Sequence, residues 1–367
     1  MINIGQILTE WENSAPAKVQ IIAQRFVSKA NTGIRYLFGR NEHSLILSQT
    51  FDIDGFIDDF APAGSVWHGK PVIKGENIPK NSYVINCSMS ISPISVANRC
   101  KKLGLRNYIS YADLYRTFPN KVPLPAFVAD TRSDSKKNQA KYNEIRRSLA
   151  DTESVRVFDS LLRYRLTGDY RFMRSFYVNI KGQYFEEFLG LGKDEAFVDA
   201  GGFDGDTTIE FCKRYPEYKK VYLFEPVKEN IEKAKVRLSG KRNIAYIQKG
   251  ISDKEGRLYF DPGSGPASSI IKSGSFKIDV TTLDNQIKSK VTFIKMDIEG
   301  HELKALKGAK RHILKDHPKL AISVYHHASD LWRIFDYVND LRKDYKIYMR
   351  HYTEGWSETV MIFVPIH

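Results

Sequence analysis

Cysteine is scarce here: Cys87, Cys100 and Cys212 are the only three in 367 residues. They are isolated, odd in number and without metal-type spacing, which excludes a disulfide scaffold and a cysteine-built zinc site. A reducing cytoplasm is the expected setting. Long apolar runs are missing too. Nothing approaches the length that crosses a bilayer, and Met1–Glu10 lacks a basic start followed by an apolar core. No membrane span is expected. Although the formal charge is +13, no Lys/Arg run is interleaved with aromatics as a base-stacking surface requires. Between Thr131 and Lys181 there are 12 Lys+Arg against 6 Asp+Glu, so this stretch supplies +6 of the +13 and the rest is thinly spread. That excludes nucleic acid as the expected partner. It favours small anionic molecules such as sugar phosphates, nucleotide sugars or acidic glycan units. Also absent are a Gly-x-Gly-x-x-Gly turn and a suitably placed Tyr-x-x-x-Lys pair, which excludes an NAD-dependent sugar oxidoreductase.

What the chain does have is a strand, a tight turn and a helix start in Phe197-Val198-Asp199-Ala200-Gly201-Gly202-Phe203-Asp204-Gly205-Asp206-Thr207. Glycine tolerates positive φ and allows a close approach to the backbone. Counted from Gly201, a dinucleotide pattern would put its second glycine at Phe203 and its third at Asp206. Asp204 and Asp206 at the helix start would repel a pyrophosphate but suit an ammonium or sulfonium group. The turn, with Gly205 and Thr207, therefore points to S-adenosylmethionine rather than NAD. The next strand closes with Glu225-Pro226, an acid placed about 20 residues on to accept from two ribose hydroxyls. Beyond a third strand, Ile251 could pack on the adenine with Ser252 near its edge. Ahead of the turn, Gln183 and Tyr184 could close over the methionine end.

Length argues for two domains and a connector: an N-terminal α/β domain over 1–120, a helical connector over 121–180 and a C-terminal domain over 181–367. In the first domain strands and helices alternate, as a parallel sheet requires. Gly33–Arg40, Ile53–Asp59, Lys80–Ser88 and Asn107–Ser110 read as strands, and Asn41–Thr50 and Ile94–Leu103 as helices. The strand with its Gly-Arg turn, then Gly-Phe-Ile-Asp-Asp and Gly-Lys-Pro-Val-Ile, resembles over about Gly33–Ser88 the nucleotide-sugar-binding domain of some bacterial sugar-modifying acyltransferases. Arg40 would then meet a phosphate. The bland alternative is a scaffold or homodimer surface without a ligand.

In the C-terminal domain Val291–Met296 ends in Asp297-Ile298-Glu299-Gly300, and Leu320–Val324 ends in Tyr325-His326-His327. Asp199, Glu225, Asp297, Glu299 and His326 thus fall at strand ends, where open α/β sheets gather their ligands. Val-Asp-Ala-Gly-Gly-Phe-Asp-Gly-Asp-Thr, Phe-Glu-Pro, Thr-Leu-Asp (Thr282–Asp284) and Lys-Met-Asp-Ile-Glu-Gly-His-Glu (Lys295–Glu302) together resemble the FkbM family of methyltransferases, over about Gln183–Pro365. The resemblance implies a seven-stranded doubly wound, Rossmann-like methyltransferase sheet; it does not reach the smaller N-terminal α/β Rossmann-like domain, which rests on the alternation of strands and helices. It also implies S-adenosylmethionine-dependent O-methylation of a hydroxyl on a sugar or natural product. His326 is the first choice of base, because imidazole titrates near neutrality. Asp297 is the second, as base or as holder of the methionine ammonium, and Glu299 would anchor sugar hydroxyls. Asp297 and His326 offer two metal ligands, too few to assert an ion. Pro262–Ser269 reads as a lid or substrate edge. The competing class is an inactive nucleotide-sugar-binding or assembly protein of a polysaccharide pathway.

Overall fold

The computed structural model describes residues 2–260, 270–271 and 276–366, so the expected lid at Pro262–Ser269 lies outside the described residues. Two compact units emerge. One comprises Met1–Gln139, Phe158–Val178 and Thr353–Ser357; the other comprises Ala140–Val157, Asn179–Tyr352 and Glu358–His367. The stretch 121–180 is divided between them, and the helix Thr152–Thr167 contributes to both.

The first unit holds strands β1 (Arg35–Phe38), β2 (Gly55–Ile57), β3 (Val66–Trp67), β4 (Lys70–Ile73), β5 (Tyr83–Asn86) and β6 (Asn107–Ser110). Their order is β3-β4-β2-β1-β5-β6, parallel throughout except that β3 runs against β4. Successive side chains of a strand take opposite faces, and both faces are buried. Leu37 and Ile85 pack with Ile22, Ala23 and Phe26 of the helix Ala17–Val27. Phe38 and Val84 pack on the other side with Cys100 of the helix Pro93–Lys102. Continuous apolar strands are what a sheet covered on both faces demands.

The second unit is built on β7 (Ala196–Ala200), β8 (Lys220–Phe224) and β9 (Ile244–Ile247). Strands β10 (Gly250–Ile251), β11 (Gly256–Phe260), β12 (Ile270–Ile271) and β13 (Phe276–Thr281) follow. The chain closes with β14 (Phe293–Met296), β15 (Lys319–Ser323), β16 (Tyr345–His351) and β17 (Thr359–Pro365). The main sheet has seven strands in the order β16-β17-β15-β14-β7-β8-β9, with β17 antiparallel to both of its neighbours. This is the expected doubly wound α/β sheet. β10 to β13 form a separate four-stranded sheet, in which β11 and β13 pair antiparallel. Aromatic stacking anchors the centre: Phe197 lies 4.4 Å from Phe211 and 5.0 Å from Phe293, ring to ring. The sequence reads Glu302–Lys315 as one helix, but two short ones form, Glu302–Lys307 and Lys310–Lys315. The break falls at Gly308, where a Cβ would stand 2.0 Å from the Ser252 carbonyl oxygen.

Candidate active site

The glycine turn serves the protein's own packing first. Gly201 has φ +76°, and a Cβ there would lie 1.9 Å from the Asp297 carbonyl oxygen. At Gly202 it would lie 2.5 Å from the Leu223 side chain. The Gly201 and Gly202 amides both donate to the Phe224 carbonyl, at 3.0 and 2.9 Å. The turn is thus clamped between the ends of β8 and β14, which accounts for both glycines without a ligand. Phe203 follows at φ +43° with its ring half exposed, and its amide donates to Glu225 Oε2 at 3.2 Å. Left-handed backbone is costly for a bulky residue, and burial does not repay it here. Gly205, also left-handed, opens the helix Asp206–Arg214.

Glu225 lies at the end of β8, buried beside this turn. Its Oε1 accepts from the Val227 amide at 2.9 Å and from Asn230 at 3.2 Å. Burial raises its pKa above the usual carboxylate value, against those hydrogen bonds. Asp204 pairs with Arg237 at 2.6 Å, and Asp206 accepts from the Thr207 amide. Ile251 is buried in β10, and Ser252 Oγ meets His301 Nε2 at 3.0 Å.

Asp199 departs from expectation. It is fully buried, with Lys295 Nζ at 3.0 Å and Thr208 Oγ1 at 2.7 Å. Lys295 is its register partner across β7 and β14, so both side chains share one face. The same ammonium donates to the Gly201 carbonyl at 2.8 Å. Asp199 is therefore enclosed by the protein's own partners; with Lys295 it braces the turn.

The remaining acids do converge. Asp297, just past β14, accepts from Tyr184 Oη at 2.8 Å and from Tyr325 Oη at 3.1 Å. Gln183 Nε2 donates to Tyr184 Oη at 2.8 Å and to Glu358 at 2.7 Å. Gln183 and Tyr184, expected near the methionine end, are thus buried against Asp297. His326 sits in the midst. Its Nε2 is 3.6 Å from Asp297 and 3.4 Å from Glu299, and its Nδ1 is 3.4 Å from Glu302. Burial pulls the ring's pKa down, but Glu302, Glu299 and Asp297 outweigh it and carry it up to about 10. The three acids favour the protonated ring, which opposes the role of base expected there. Glu302 Oε1 accepts from the Ile298 amide at 2.8 Å. Burial brings both Glu302 and Glu358 up to about 7. Glu299, at φ +57°, keeps 39% of its side chain exposed.

Sequence reasoning missed Tyr325, Glu358, Glu302 and Lys295. Tyr325 could have been found from its place beside His326 past a strand end. Glu302 and Lys295 lie inside the Lys295–Glu302 motif but were assigned no role there, and Glu358 carries no local signal.

Comparison with known proteins follows this geometry. Residues 199–351 match the methyltransferase FkbM domain. The FkbM match covers less than half of the chain. The structure of methyltransferase FkbM from Methylobacillus flagellatus KT superposes with a TM-score of 0.72 at 24% identity, covering 98% of this chain and 96% of that one. It shares the fold along almost its entire length. An rRNA methylase from Streptococcus thermophilus aligns at a TM-score of 0.35 and 18% identity, over 49% of this chain and 93% of its own. Aeropyrum pernix fibrillarin, in complex with natively bound S-adenosyl-L-methionine, aligns at 0.33 and 12% identity, over 50% and 71%. No curated protein matches the chain. Within the C-terminal unit, then, residues 199–351 match a methyltransferase domain, and the chain as a whole shares the fold of a methyltransferase. Among the described residues no helix is long and apolar enough to cross a membrane.

Proposed function

We propose that this unit transfers a methyl group from S-adenosylmethionine to a hydroxyl of a sugar or glycan precursor. The observation that carries the reading is the distribution of acid: a buried carboxylate without a cationic partner among the described residues, Glu225, beside the glycine turn, and a separate acidic cluster past β14 and β15. The donor fits these residues. Glu225 retains acceptor capacity for ribose hydroxyls beyond the bonds it makes, and Pro226 follows it. Gly201, Gly202, Asp204, Gly205, Asp206 and Thr207 form a turn suited to a cationic amino-acid end and not to phosphate. Ile251 and Ser252 would border the base, with Gln183 and Tyr184 at the methionine end. When bound, S-adenosylmethionine supplies an electrophilic methyl carbon on a sulfonium centre.

Asp297, Glu299 and His326 then take the acceptor side. His326 donates to the bound sugar or holds its neighbouring acids in place. Glu299, the more exposed carboxylate, accepts the hydroxyl's proton and makes the oxygen a better nucleophile. Asp297, fixed by Tyr184 and Tyr325, orients the hydroxyl toward the methyl carbon. A nucleotide-sugar role for the N-terminal unit draws less support, since Arg40 is tied to Asp58 at 2.7 Å. The test is incubation with methyl-labelled donor and a panel of free sugars, nucleotide sugars and glycans. Label on an acceptor oxygen is expected. Donor binding without transfer to any of them would favour the inactive binding protein.

A further inference from the structure

Charge at the acceptor cluster does not balance. Asp297, Glu299, Glu302 and Glu358 surround a single imidazole. The His326 side chain is only 9% exposed, and neither of its ring nitrogens makes a hydrogen bond. Their carboxylate neighbours stand 3.4–3.6 Å away, beyond the roughly 2.7–3.2 Å of an N–H···O bond. Glu302 is 1% exposed, and its Oε2 is buried without a partner. An unmatched buried carboxylate oxygen is costly, and an imidazolium facing Oε1 does not relieve it.

A metal ion accounts for the Glu302 Oε2 atom and for one of the two ring nitrogens, the other facing a neighbouring carboxylate. Ligand atoms about 2.0–2.2 Å from a shared ion stand about 3.0–3.5 Å from one another. Asp297, Glu302 and His326 each offer one such atom, all within 4.8 Å of one another. Their supports resemble those of ligands already oriented. Asp297 is held by two tyrosine hydroxyls, and Glu302 by the Ile298 amide; such outer bonds fix ligand direction. We propose that Asp297, Glu302 and His326 bind a divalent cation of the Mn2+ to Zn2+ type. One nitrogen and two carboxylates favour those ions over Ca2+ or Mg2+, and three protein ligands leave coordination positions open. The ion's role rests on the methyl-transfer reading: an acceptor hydroxyl bound at an open position gives up its proton more readily, and Glu299 receives it. The binding site itself does not rest on that reading.

The experiment titrates Mn2+ into chelator-stripped full-length protein, following free Mn2+ by electron paramagnetic resonance, with S-adenosylhomocysteine titrated into the same samples. One Mn2+ per chain is expected. Glu302→Gln and His326→Gln should each weaken it about tenfold or more, with S-adenosylhomocysteine affinity unchanged. Asp297→Asn replaces either variant should its circular dichroism show misfolding. No saturable Mn2+ binding, or equal binding in wild type and variants, overturns the site. Mn2+ binding without S-adenosylhomocysteine binding would leave the site standing and defeat the donor reading.

Discussion

Two mostly parallel sheets have strands that finish in acids, and they treat them differently. Past β2 in the N-terminal unit, Asp58 is matched by Arg40 at 2.7 Å and Asp59 by Arg99 at 2.8 Å. At the end of β1, Asn41 caps the helix Glu42–Thr50 and donates to the Cys87 carbonyl at 3.0 Å. That edge is chemically closed. Past β14 and β15 in the C-terminal unit, the acids outnumber their one cationic neighbour and leave buried polar atoms unmatched. Similar architecture therefore does not make similar sites. What separates them is whether the chain neutralises its own strand-end charges or leaves that to something else.

The largest expected effect sharpens this contrast within one unit. Asp199 and Lys295 are a matched buried pair, so Lys295→Met should cost roughly 3–5 kcal/mol by stranding a buried charge, read as a lowered urea midpoint. A double change to apolar residues of similar volume should recover much of that loss. If Lys295→Met is as stable as wild type, the pair does not brace the turn. Glu299→Gln, on the unbalanced edge, should leave stability unchanged and reduce turnover about 10²–10⁴-fold. S-adenosylhomocysteine affinity should hold, and undiminished turnover would remove Glu299 as proton acceptor. Across in the N-terminal sheet, Arg40→Ala should change stability by less than about 1 kcal/mol and leave methyl transfer intact. Lost transfer there would mean that the closed edge is functional after all.

The smallest effect concerns a matched acid in the C-terminal unit. Burial pushes the Asp151 carboxyl up, but Arg350 and Ser154 outweigh it and bring it down to about 2. Because the folded value lies below the unfolded one, the stabilisation is present above about pH 4 and fades as pH falls through 2. The stability gap between wild type and Arg350→Ala should therefore narrow on acidification over that range. A pH-independent gap would show that Arg350 acts only by packing.

These comparisons also show what was legible in the chain. The β7 turn was readable because glycine spacing and the alternation of strand and helix are local. Asp297, Glu299 and His326 could be placed at strand ends because strand ends are visible in sequence. Asp199 was misread for the converse reason. Its partner, Lys295, lies across a strand pairing that no local pattern discloses. His326 could be placed past a strand end, yet its surroundings turn on Glu302, which the chain shows as the end of the Lys295–Glu302 motif and the first residue of a helix, with no sign of its burial against the imidazole. Glu358 likewise sits just ahead of β17 and gains meaning only where Gln183 reaches it.

Calorimetric titration of S-adenosylhomocysteine into wild type and Glu225→Ala tests the central claim most directly. Saturable one-to-one binding, weakened at least about tenfold by the loss of two charge-assisted hydrogen bonds, is the expected result. Identical binding in the two proteins, or none in either, would contradict the assignment of the acidic edge to a methyl donor.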